Sequence, residues 1–229
     1  MPDLPSHTLL EQQLNKLRQD FIAGLDERVS GLETQWRQTL PQARWATSEL
    51  QRLVRRLHGL RGSAGTFGFA ELGNCAAGLE QTLLPALEAK QAPSAEMQGQ
   101  VQAGLEQLRG LAQGLIADRA PPPPLGPSPA SAAKTAGRAA AQGRLFVIDD
   151  EEEQAKWLSL QLRQRGFEVT TFTRFEGFMQ VVLENPPAAI VSDIVFPEGM
   201  LAGVEAMRTL KQRIPHGFAV VFVSARTDL

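Results

Sequence analysis

Residues 120–143 read APPPPLGPSPASAAKTAGRAAAQG, and this stretch decides more about the fold than any other. It is rich in Pro, Ala, Gly and Ser and has no apolar period, so it cannot bury a core and is expected to be a linker. Its Pro-rich start should be semi-extended and its later part flexible, spanning roughly 25–30 Å as a random coil. Four consecutive prolines could also serve as a ligand for an SH3-like domain. As a spacer the stretch divides the 229 residues into 1–119 and 144–229, each of ordinary domain size.

The two flanking segments carry different periods. Before the linker, Leu10, Leu14, Leu17, Phe21 and Leu25 step by three and four, and Leu32 and Trp36 continue that helix or follow a kink. Further helical stretches run from Trp45 to Phe67, from Ala70 to about Lys90 with Pro85 expected to bend it, and from Glu96 to Ile116. Four amphipathic helices with short joins predict an antiparallel four-helix bundle over residues 1–119. After the linker, RLFVID (144–149), FEVTTF (167–172), AAIVSD (188–193) and FAVVFVS (218–224) alternate with helical segments around 151–165, 175–183 and 203–213. That alternation predicts βαβ units and a parallel sheet, giving an α plus α/β chain. The apolar runs 188–192 and 218–223 suit strands covered on both faces.

Composition excludes some functions. Net charge is −2 with a pI near 6.0, which gives no basic footprint for nucleic acid. No apolar run is long enough to span a bilayer, and the first residues lack the pattern of a signal peptide. The single cysteine, Cys75, excludes an internal disulfide framework and points to a reducing cytoplasm. It lies among Ala, Gly and Leu and is expected to act as a small buried hydrophobe.

On a helical wheel Leu50, Leu53, Leu57, Leu60, Ala64 and Phe67 form one apolar stripe. His58 points roughly 135° from the stripe's centre, so its imidazole is expected to reach solvent. Gly62 and Gly65 share that side, Arg61 lies between it and the core, and Arg55 flanks the other edge. Gly59, Gly62 and Gly65 would each cost about 1 kcal/mol in a helix interior. A bare backbone beside an imidazole gives a partner room to approach, and Arg61 can offer charge to a phosphoryl group. Alternatively, Gly62 merely ends the helix and His58 is an ordinary surface residue.

The string LHGLRGSAGTFGFAELGNCAAGLE (57–80) resembles the histidine-containing phosphotransfer (HPt) family. The family pattern His-x-Leu-Lys-Gly-Ser/Ala-Ala/Ser, then a Gly-rich segment, appears as His58, Leu60, Arg61, Gly62, Ser63, Ala64, Gly65 and Gly68. Arg61 replaces the usual Lys, which keeps the charge and changes its geometry. The resemblance covers roughly residues 8–117 and implies that His58 accepts and donates a phosphoryl group, with no kinase domain of its own.

In the other half, Asp149 and Asp150 end the first strand and Asp193 ends the third. Ligands gather at the carboxyl ends of parallel strands, so these carboxylates should converge. Clustered carboxylates repel unless a cation joins them, and a hard oxygen site suits Mg²⁺. One carboxylate could then act as nucleophile, and Ser224 could bond the phosphoryl group. Alternatively, the acids from Asp149 to Glu153 simply complement a helix dipole, which leaves Asp193 and Ser224 unexplained.

VIDDE (147–151), SDIVFP (192–197), Gly203 and FVSA (222–225) resemble a response-regulator receiver domain. The resemblance implies that Asp193 is the phosphoacceptor, that Asp150, Asp193 and the Val195 carbonyl bind Mg²⁺ with Asp149 in support, and that Ser224 is the switch hydroxyl. Pro197 to Gly203 is about two residues longer than the family norm, which is expected to alter partner choice or metal access. The family pattern continues past the residues that end here at Leu229, including a phosphate-binding Lys that Lys211 cannot replace. The receiver is therefore expected to be incomplete, with weak or absent Mg²⁺ and doubtful phosphorylation of Asp193. Its apolar FAVVFV edge would be open to self-association.

Together the halves predict a phosphorelay module of a bacterial two-component system rather than an autonomous enzyme. Its expected partners are a sensor or hybrid histidine kinase and a separate receiver docking at His58. The order HPt then receiver resembles the N-terminal half of certain bacterial diguanylate cyclases, so such an output would follow Leu229. The competing expectation is a non-catalytic interaction module that docks a kinase or receiver without phosphotransfer.

Overall fold

The computed structural model describes residues 4–39, 47–118, 143–214 and 217–223, with side chains described from residue 11 onward. Residues 119–142 lie outside it, and so does most of the expected linker. The chain divides into two compact units, one spanning Glu11–Leu125 and the other containing Gly126–Leu229.

The first unit is helical. Helices α1 (Leu4–Ala23) and α2 (Leu25–Thr39) meet at Gly24. The first expected helix is therefore interrupted there, although Gly24 and Arg28 still bond back to the carbonyls of Asp20 and Gly24 at 3.1 Å. Helices α3 (Thr47–Thr66), α4 (Ala70–Ala89) and α5 (Ala95–Ala117) complete the unit. Packing closes α2, α3, α4 and α5 into a ring, α2 against α3 and α5, and α4 against α3 and α5. The apolar stripe of α3 is buried throughout, as are Val29, Leu32 and Trp36 of α2, and Leu105 and Leu108 of α5. Each of these side chains contributes about 1.5–3 kcal/mol through burial.

Local chemistry sets the joins. Gly68 adopts φ +81° at the α3–α4 corner, where Phe69 N–H donates to the Ala64 carbonyl at 2.8 Å. Phe21 packs against Phe67 and Phe69 there, at centroid separations of 5.1 and 5.7 Å. Helix α4 runs as one helix through Pro85 and ends at Lys90, which takes φ +52°. Ser94 caps α5 by accepting from Met97 N–H.

The second unit is a four-stranded parallel sheet with helices on both faces. Its elements are β1 (Arg144–Ile148), α6 (Glu152–Gln164), β2 (Glu168–Phe172), α7 (Phe178–Glu184), β3 (Ala189–Asp193), α8 (Ala202–Arg213) and β4 (Ala219–Val223). Strand order β2-β1-β3-β4 is that of a flavodoxin-like sheet. Alternation on β1 sends Phe146 and Ile148 toward α7 and α8, and Leu145 and Val147 toward α6.

One expectation about the strands is corrected. β4 is not covered on both faces: Val221, Phe222 and Val223 are 40–52% exposed. The strand pairs only with β3 and is the edge of the described sheet.

Candidate functional site

Helix α3 carries His58 on the side that packs against α4. The residue is only 5% exposed, so the expectation of a solvent-facing imidazole is overturned. The stripe was read correctly, but the buried arc is wider, since Val54, His58 and Ser63 join it. Gly73 on α4 permits the close approach: a Cβ there would stand 3.4 Å from the Arg61 carbonyl and 3.6 Å from the Ala64 Cβ. On α3 itself Gly62 is half-buried, while Gly65 is exposed with open space where a Cβ would lie.

The partner that accepts His58 is Glu80 of α4. Its Oε1 lies 3.0 Å from His58 Nδ1, and its Oε2 lies 3.4 Å from an Arg61 guanidinium nitrogen. Glu80 is itself 1% exposed. Burial pushes its carboxyl up, but the hydrogen bond and charge of His58, together with Arg61, outweigh burial and hold it below the ordinary value. An ionised carboxylate only accepts, so the hydrogen-bond network assigns the proton to Nδ1 and leaves the lone pair on Nε2.

The second cluster lies at the carboxyl ends of β1 and β3. Asp149 and Asp150 follow β1 directly, and Asp193 is the last residue of β3. Ligand oxygens from the three lie within 4.8 Å of one another. Asp149 N–H extends the ladder to the Phe172 carbonyl at 3.1 Å, and one of its carboxylate oxygens accepts from Glu151 N–H at 2.9 Å. Asp193 Oδ1 accepts from Ile194 N–H at 2.7 Å. Burial first, then the Asp193 charge with smaller contributions from Asp150 and Glu151, pushes the Asp149 carboxyl up to about 8 against the Glu151 N–H bond. Three carboxylates gathered within 4.8 Å of one another, one of them buried, are an all-oxygen set whose mutual repulsion a hard divalent cation relieves, so this donor set fits Mg²⁺.

The surrounding loop is tightly held. Gly203 N–H donates to the Ile194 carbonyl at 3.1 Å, and a Cβ on Gly203 would collide with the Asp193 carbonyl. Phe196 and Gly199 exchange two backbone hydrogen bonds of 3.1 and 3.0 Å, folding the start of the Pro197–Gly203 segment into a tight turn. Val195 is buried beside it. Lys211 on α8 donates to the Phe218 carbonyl and stacks over its ring at 4.5 Å. Ser224 lies outside the described residues. Cys75 is half-buried, near the Gly104 carbonyl at 3.5 Å, with its thiol pushed up by burial.

The Hpt domain family matches residues 16–111, and the response regulator receiver domain family matches residues 145–229. The chain carries an Hpt domain followed by a response regulator receiver domain. His58 and Glu80 fall within the Hpt domain, and the Asp cluster within the receiver. Two curated relatives are the transcriptional regulatory protein KdpE of Mycobacterium tuberculosis strains CDC 1551 / Oshkosh and ATCC 25618 / H37Rv. Each is 30% identical over 84 residues, 37% of this chain, and the chain spans only 35% of each relative's length. No solved structure matches the chain. Paired in one chain, Hpt and receiver domains make a two-component phosphorelay module, and both are phosphotransfer and regulatory modules rather than catalytic domains. Among the described residues, no helix is long and apolar enough to cross a membrane.

Glu80 was not singled out by the sequence. Its signal was present, as an acid one turn after Ala76 and one turn before Leu83 on the apolar stripe of α4. An unexplained carboxylate on a buried stripe asks for a partner.

Proposed function

We propose that His58 is the phosphoryl carrier of this chain, exchanging the group with phosphoaspartate in a separate receiver. The supporting observation is the Glu80 carboxylate 3.0 Å from Nδ1. With Nδ1 protonated, Nε2 attacks the phosphorus. A P–N bond forms as the P–O bond to the donor aspartate breaks, and the aspartate leaves as a carboxylate. Glu80 orients the ring and balances the imidazolium charge, while Arg61 stands beside both.

In the receiver, Asp193 is the proposed phosphoacceptor, with Asp150, Asp193 and the Val195 carbonyl as Mg²⁺ ligands and Asp149 in support. The cation would supply charge neutralisation for the incoming phosphoryl group. The protein's own part is to hold the three carboxylates together and to fix the Asp193 side chain through its bond from Ile194 N–H. The proposed partners are a sensor or hybrid histidine kinase and a receiver docking at His58, in the cytoplasm. Self-association through β4 and a diguanylate cyclase output rest on the exposed strand and the resemblance alone. Reading the coding sequence past Leu229 tests the output.

The deciding experiment incubates the full chain with a ³²P-labelled phospho-receiver. Wild type should take label and His58→Gln should not. Equal labelling of His58→Gln sinks the proposal. Tight docking without any transfer would favour the non-catalytic interaction module.

A further inference from the structure

Aromatic contacts in the receiver form a chain whose last link touches the loop beside Asp193. Phe146 on β1 meets Phe172 at 5.3 Å, Phe172 meets Phe178 on α7 at 5.0 Å, and Phe178 meets Phe175 at 6.4 Å. The closest pair is Phe175 with Phe196, at 4.4 Å between ring centroids. Phe196 is wholly buried, and Phe175 is half-buried in the turn between β2 and α7. In that turn Gly177 takes φ +75° just before α7, and its carbonyl accepts from Val181 N–H at 3.0 Å.

The loop after Asp193 has two kinds of restraint. Gly203 bonding to Ile194 and the Phe196–Gly199 pair are internal to the loop and the start of α8. Packing from segments distant in sequence adds to these: Phe196 sits in the buried cluster with Phe178, Ile190 and Met207, and Phe175 makes its close ring contact from the β2–α7 turn. A loop has conformers to lose when it must hold an ion, and a wedge that removes them beforehand lowers that cost.

We propose that Phe175 is a positioning residue for the Asp193 loop: it clamps Phe196, and the clamp holds the Val195 carbonyl and the Asp193 carboxylate in place for the divalent cation. This rests on the reading above that Asp150, Asp193 and Val195 bind Mg²⁺. The clamp touches no ligand atom itself. It acts as supporting residues do around other metal sites, by fixing the groups that do the binding.

The test titrates Mg²⁺ alone into the full 229-residue chain by isothermal calorimetry and reads thermal midpoints in parallel. Phe175→Leu and Phe196→Leu should each weaken Mg²⁺ binding about tenfold. The double variant should be little weaker than either single one, since both remove the same contact. Val182→Ala, in the same buried cluster, controls for general loosening of the core. It should lower the midpoint at least as far as Phe175→Leu and keep the wild-type affinity. Wild-type affinity in Phe175→Leu, or equal weakening in Val182→Ala, overturns the clamp while leaving Mg²⁺ binding by the wild type intact. A wild type that takes no Mg²⁺, or an Asp193→Asn variant that takes it equally well, overturns the cation reading and the clamp with it.

Discussion

A single buried carboxylate, Glu80, holds both His58 and Arg61 in the Hpt domain. Glu80 is held below the ordinary carboxyl value of 4.5, so its contribution to stability is present above that value and is lost as pH falls through the folded one. Glu80→Gln should therefore flatten the acid limb of the stability curve below about pH 4.5, measured by urea midpoints across pH. The same variant should slow phosphotransfer by about 10²–10³, because an amide neither holds the ring's tautomer as firmly nor balances its charge. Ser63 offers a contrasting case on the same helix. Its hydroxyl is fully buried and has no hydrogen-bond partner among the described residues, so Ser63→Ala should be neutral or slightly stabilising. The sequence revealed His58, Arg61 and the glycines through their spacing. It concealed the exposure of the ring, because a wheel drawn on one helix shows its apolar centre and not how far a neighbour wraps around it.

At the scale of elements, two kinds of helical glycine should part company. Gly203 starts α8 against the Asp193 carbonyl, and Gly203→Ala should cost about 1–3 kcal/mol and weaken Mg²⁺ binding as the loop shifts. Gly110 on α5 is exposed with open space around it, and Gly110→Ala should stabilise by about 0.5–1 kcal/mol. Thermal midpoints on the two variants check both signs. Most elements were legible from period alone: β1, β3 and α5 fall within a residue or two of their expected bounds. The split at Gly24 was half-legible, because apolar spacing continues across it while glycine loosens the backbone there. The open edge of β4 was anticipated, but the exposure of its faces was not legible, because an apolar run states what a strand could bury and not which neighbours cover it.

The whole molecule is two cores with separate ledgers. A ligand that binds one folded unit stabilises that unit by mass action, by about 2.7 kcal/mol at a hundred times its Kd. Saturating Mg²⁺ should raise the unfolding temperature of the receiver and leave that of the Hpt domain where it was, and Asp193→Asn should abolish the shift. Differential scanning calorimetry with and without the cation would show this directly. The Pro- and Ala-rich composition of residues 120–143 pointed to two units from the start, since such a stretch has nothing to pack. The Asp cluster was equally plain, because parallel strands deliver their carboxyl ends to one edge. The aromatic clamp was hidden, because Phe175 and Phe196 belong to different turns that no local pattern connects.

The burial of His58 also bears on time. Phosphoramidates are lost to water, and a ring only 5% exposed offers water few lines of approach. A group stored there should outlast one on a free imidazole and leave chiefly when a partner comes to collect it. If His58 carries the group as proposed, the bundle would work as a short-term memory, with its retention set by how closely α4 shelters the ring.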